Sequence, residues 1–242
     1  MALTVHLYHR LMQKTRVIWL VLLAAVPGFI FAIVGIDLDP DDLSEAFVGI
    51  MLSVGFTYAL AALILTVSTL RDERDEGTLP YIYMRPISRL SLAVSSLLAG
   101  MLAAVTIALG GWLATVLAGL VHGADLAIIV PGAALLLAAA VGYAAIFVPV
   151  GYLFSRSVLV GLGYLIIVEL ALSGLVTGLA QISIWRIAAS IYVDLVDTTG
   201  LPVEEALGAV APGVGGGMAK LGAILVLGTA VLTWALRTRD AL

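Results

Sequence analysis

The chain has 242 residues, 62% of them hydrophobic and only 12% charged, with a mean hydropathy of +1.15. A soluble domain carries about half apolar and about a quarter charged residues, so this composition excludes a cytosolic enzyme, a nucleic-acid binder and a disordered chain. The net charge of −4 is small, cysteine is absent, and the three histidines His6, His9 and His122 form no cluster, leaving no thiolate or imidazole metal site and no cysteine nucleophile.

In chain order, Ala2–Arg16 comes first. Leu3, Leu7, Tyr8, Leu11 and Met12 fall on one face at helical spacing, with His6, His9, Arg10, Gln13 and Lys14 opposite. That pattern predicts an amphipathic helix lying on the cytoplasmic leaflet. Six apolar runs follow: Val17–Ile36, Ala46–Leu70, Leu90–Val121, Leu126–Phe154, Val158–Leu179 and Met218–Leu236. Each has about the 20 residues a helix needs to cross roughly 30 Å of hydrocarbon. Backbone groups find no partner in hydrocarbon, so spanning runs form helices unless they alternate as barrel strands, and these do not alternate. The third and fourth runs exceed one crossing, which predicts tilt, a bend at Pro131 or Pro149, or projection beyond the hydrocarbon core.

Lysine and arginine mark the cytoplasmic face of a membrane protein. With both termini inside, ten of the twelve basic residues lie on that face and only Arg186 and Lys220 lie outside. The expectation is a multi-pass protein of the cell membrane with both ends cytoplasmic. On the outer side, Ile182–Val193 is apolar but too short to cross, which predicts a re-entrant or interfacial helix. Leu201–Ala211 reads as a second short helix, with Pro202 in its first turn and Glu204 and Glu205 near its positive end. Gly213–Gly217 reads as a flexible entry to the last span. The fold class is therefore all-α and integral to the membrane, a single transmembrane domain over 1–242.

The segment Arg71–Arg89, RDERDEGTLPYIYMRPISR, is the most informative. Its first six residues alternate sign and extend the second span as a solvated helix with ion pairs at helical spacing. Gly77 permits a sharp turn or a helix stop, and Thr78 can cap a short helix after it, with Pro80 in the first turn. Leu79, Ile82, Tyr83 and Met84 then make a small apolar patch. Arg85-Pro86 ends it, and Ser88-Arg89 restarts a helix that becomes the third span. A short apolar helix between two charged turns has nothing in its own chain to pack against; it is suited to a groove on another protein.

Glu169 is the only ionisable residue deep within a run. A carboxylate at that depth costs on the order of 3 kcal/mol, so it faces protein or water. It is either a polar point on a translocation path or a hydrogen-bonding group that fixes helix packing. Gly174-xxx-Gly178 and Gly110-xxx-Ala114 are small-residue pairs that allow close helix approach.

Glu76-Gly77-Thr78-Leu79, followed by Arg85-Pro86-Ile87-Ser88-Arg89, resembles the first cytoplasmic loop of type-2 ATP-binding-cassette (ABC) transporter permeases, where E-x-G-T-L…P-[IV]-S-R follows the second span. Pro80 and Gly100-Met101 depart from the family pattern. The resemblance implies six spans, an N-terminal amphipathic helix, a cytoplasmic coupling helix over 77–89, and short outer re-entrant helices. It implies that Glu76, Gly77, Thr78, Leu79, Ile82, Tyr83, Arg85, Pro86, Ser88 and Arg89 couple the chain to a separate ABC ATPase subunit. It also implies a second permease copy or a similar chain as partner, in the lipid bilayer. With no G-x-x-x-x-G-K-[ST] and lysine only at 14 and 220, the chain binds no nucleotide by a P-loop. ATP and magnesium are expected on the ATPase subunit.

Two other classes compete. An intramembrane serine hydrolase is suggested by Ala171-Leu172-Ser173-Gly174, but no span holds a histidine to act as base. A stand-alone channel or ion-coupled carrier would carry more polar residues in its spans than Glu169. The scarcity of charge in the spans suggests an amphiphilic or lipid-like cargo.

Overall fold

The computed structural model describes residues 2–39, 42–78, 81, 84, 87–172, 182–196 and 212–238, and among them all regular structure is helical. The helices are α1 (Ala2–Leu11), α2 (Lys14–Ala24), α3 (Val26–Val34), α4 (Leu43–Val54), α5 (Thr57–Thr66), α6 (Ser68–Asp75), α7 (Arg89–His122), α8 (Leu126–Ile129), α9 (Gly132–Leu153), α10 (Ser157–Tyr164), a π-helical stretch Leu165–Leu172, α11 (Ile184–Leu195) and α12 (Gly213–Thr238).

Among the described residues, four continuous or nearly continuous helices are long and apolar enough to cross a membrane: Leu43–Asp75, Arg89–His122, Leu126–Leu153 and Gly213–Thr238. The pair α2 and α3 makes a fifth if its 44° bend is counted within one span. Pro27 sits in the first turn of α3, where its missing N–H costs nothing but interrupts the ladder from α2. The fifth predicted run, Val158–Leu179, is helical through Leu172, and 173–179 lie outside the described residues. Pro131 separates α8 from α9, while Pro149 lies within α9. The helical ladder of the fourth run is interrupted at Val130 and Pro131, and the run as a whole still makes one continuous span.

α7 shows how the bundle is held. Ala99, Ala103, Ala104, Ile107, Ala108 and Gly111 are buried, while Leu98, Leu102, Leu109, Leu113 and Leu117 are exposed. A soluble helix would do the reverse. In hydrocarbon a large side chain loses nothing by facing lipid, whereas small ones inside let backbones approach and gain dispersion contacts. α7 packs against α1, α2, α3, α5, α9 and α12; α9 packs against α5, α11 and α12. Tyr58, Leu63, Tyr143 and Phe147 fill the space between, with Tyr58 donating to Ala104 O at 2.9 Å.

Two expectations change. Leu7 and Leu11 of α1 are covered by protein, so part of the face expected to rest on lipid belongs to the core. Gly213–Gly217 begins α12 rather than forming a flexible entry; only Gly213, at φ +64°, departs from helical geometry. The short helix expected at Leu201–Ala211 lies outside the described residues, as does the Gly174-xxx-Gly178 pair.

Candidate functional site

At one end of the bundle, the second span runs out of apolar sequence and continues as α6. Arg71 and Asp75 pair at i,i+4, 3.1 Å apart. Arg16 Nη1 donates to Asp72 Oδ2 at 3.4 Å, and its Nη2 donates to Ile64 O at 2.6 Å. Arg74 Nη1 donates to Tyr152 O at 2.9 Å, tying α6 to the end of α9. The charged turn is thus held from both sides.

The helix stop follows from Gly77. Its φ of +70° lies in the left-handed region that glycine enters without a Cβ penalty. The Gly77 N–H donates to Arg74 O at 3.1 Å and the Thr78 N–H to Glu73 O at 2.9 Å. These two bonds make a Schellman motif, which satisfies carbonyls the helix end would otherwise leave open. The Thr78 hydroxyl donates to Glu73 O at 3.0 Å and also to the Glu73 carboxylate. Thr78 therefore closes the preceding helix; the short helix it is expected to cap falls largely on residues outside the described ones.

Glu73 is the centre of this arrangement. Its side chain is 2% exposed, and Arg10 Nη1 from α1 lies 2.6 Å from its Oε1. The second Arg10 nitrogen pairs with Glu76, and His6 Nε2 lies 3.9 Å from Glu73 Oε1. Partial burial pulls the Arg10 guanidinium down, but Glu76 and Glu73 outweigh it and hold Arg10 above its ordinary value. On the other face of α1, Tyr8 Oη and Thr106 Oγ1 lie 3.1 Å apart and tie the helix to α7.

Of the predicted coupling residues, Glu76, Gly77 and Thr78 stand together at this stop. Ser88 accepts from the Ser91 N–H at 3.1 Å as the N-cap of α7, and Arg89 is the first residue of that helix. Leu79, Ile82, Tyr83, Arg85 and Pro86 lie outside the described residues; Tyr81 and Met84 are described and strongly exposed. Sequence reading missed Glu73 and Arg10. The five-residue offset of Glu73 from Thr78 is the Schellman spacing and was a usable signal. Nothing local links Arg10 to a residue in the second span.

Glu169 belongs to a different place, in the π-helical stretch and 7% exposed. Its Oε1 accepts from Tyr164 Oη at 3.1 Å and from the Ile184 N–H at 2.9 Å; its Oε2 accepts from the Ser183 hydroxyl and, at 3.4 Å, from the Trp185 N–H.

With this geometry in view, the chain matches the family model described as ABC-2 family transporter protein over residues 12–170. The chain belongs to the ABC-2 transporter family. No curated protein matches it. An ABC-2 family member of this kind is a multi-pass membrane protein and a permease subunit of an ABC transporter. The matched residues contain the whole of Arg71–Arg89 and reach Glu169.

Proposed function

We propose that this permease is the membrane subunit of an ATP-driven exporter, with six spans, both termini in the cytoplasm, and a path formed with a second permease chain. The segment 77–89 docks on a separate ATPase subunit, which binds ATP and magnesium. The supporting observation is the stop at Gly77: the segment starts from a helix end bonded to α1 through Arg10 and to α9 through Arg74. A push delivered at 77–89 by nucleotide-driven closure of the ATPase then passes into three helices at once. Side chains that only oriented the chain in the membrane would not need a buried carboxylate there. Tyr81 and Met84, 67% and 73% exposed, present the apolar surface such a partner would cover.

Co-expression with candidate P-loop ATPases, affinity purification and ATP hydrolysis assays test this reading. Replacing Leu79 and Ile82 by Asp is expected to release the ATPase while the chain still inserts in the membrane. A fully active complex in that variant would remove the docking assignment. Transport by the purified chain without any ATPase would point instead to a stand-alone channel or ion-coupled carrier.

A further inference from the structure

α11 begins inside the bundle. Its first residue, Ile184, packs on Gly142, midway along α9, where an added Cβ would come within 2.6 Å of Ile184. Trp185 likewise packs on Gly55 in the second span, and its Nε1 donates to Leu52 O at 2.9 Å. From there α11 runs to Tyr192, whose hydroxyl donates to Ile128 O at 3.0 Å. A helix that starts at such depth brings unpaired backbone N–H groups to a place without water.

Glu169 meets that need. Its carboxylate takes the N–H groups of Ile184 and Trp185, while Ser183, the N-cap, donates its hydroxyl to Glu169 and accepts the Arg186 N–H at 3.1 Å. A carboxylate at a helix N-terminus also offsets the positive end of the helix dipole. Tyr164, five residues before Glu169, donates to the same carboxylate; winding to i→i+5 brings residues five apart onto one face.

We infer that Glu169 is a positioning residue: it caps the start of α11 within the membrane and holds that helix against the fifth, second and fourth spans. This assignment stands on the cap geometry alone and is independent of docking at 77–89. The deep acidic residue is then explained by the chain's own backbone.

The absence of native cysteine allows a direct test. Ala188→Cys places a thiol at a fully buried position on α11, and its labelling by a membrane-permeant maleimide is followed in native membranes containing the full chain. Slow labelling is expected with Glu169 present. Glu169→Ala is expected to raise the rate about tenfold, from loss of charge-assisted hydrogen bonds. Glu169→Gln, which keeps one acceptor and the shape, is expected to fall between, and carries the comparison if Glu169→Ala does not insert. Adding Ser183→Asp to Glu169→Ala returns a carboxylate to the first turn of α11, where an N-cap side chain reaches the N–H groups of Trp185 and Arg186, and is expected to restore slow labelling. Labelling at the parental rate in both Glu169 variants, or no recovery with Ser183→Asp, overturns the inference.

Discussion

Arg10 and Glu73 are joined across the fold, with Nη1 2.6 Å from Oε1, although one lies on the N-terminal helix and the other near the end of the second span. Removing Arg10 would strand a carboxylate that is 2% exposed. Arg10→Ala is expected to cost about 2 kcal/mol, reduced from the value for a fully buried pair because Arg10 is partly exposed. Unfolding of the detergent-solubilised chain measures this. In a double-mutant cycle with Glu73→Gln, the combined loss should fall short of the sum. Because the Arg10 ionisation is raised, its contribution is fully present at every pH below its ordinary value and is lost as pH rises through the raised one.

Gly77 is expected to tolerate little. A Cβ there would meet nothing within 4 Å, so the cost of Gly77→Ala is conformational and not steric. That cost is about 1 kcal/mol for a left-handed residue, and Gly77→Asn should cost less, since asparagine visits that region more readily. The same variants are expected to weaken ATPase co-purification in the same order.

Thr78 can be divided into its backbone and hydroxyl contributions. Thr78→Val keeps the N–H bond to Glu73 O and loses both hydroxyl contacts, with an expected loss of about 1–2 kcal/mol. Thr78→Ser should recover most of it. Equal stability of the valine and serine variants would show that the hydroxyl contributes nothing.

Gly151 on α9 faces the carbonyl of Val67, where the second span changes from α5 to α6; an added Cβ would lie 2.1 Å from that oxygen. Gly151→Ala is expected to destabilise by about 1–3 kcal/mol through overpacking. Gly222→Ala, on α12 with nothing within 4 Å, is the control and should stabilise by about 0.5–1 kcal/mol. Thermal melts in one detergent should move in opposite directions for the two.

Much of the arrangement was legible locally. Ser88 as an N-cap, the stop at Gly77 and the helical α11 each depend on a few adjacent residues, whose chemistry is the same wherever the segment packs. The apolar runs matched helices closely at Arg89–His122 and Leu126–Leu153, because hydrophobic length is itself the signal. Predicting Gly213–Gly217 as flexible failed for the opposite reason. Glycine is a poor helix former in isolation, but Gly217 packs on Ile191 of α11, a neighbour that propensity does not count.

From sequence alone came the membrane class, the placement of the apolar helices and the motif that marks the charged loop, since these rest on composition, run length and nearest-neighbour chemistry. Tertiary structure alone decided that Arg10 answers Glu73 and that Glu169 answers the start of α11. Both acids are buried, and a buried charge is satisfied by whichever donor the folded chain brings within about 3 Å, a matter of distance in space that spacing along the chain does not record.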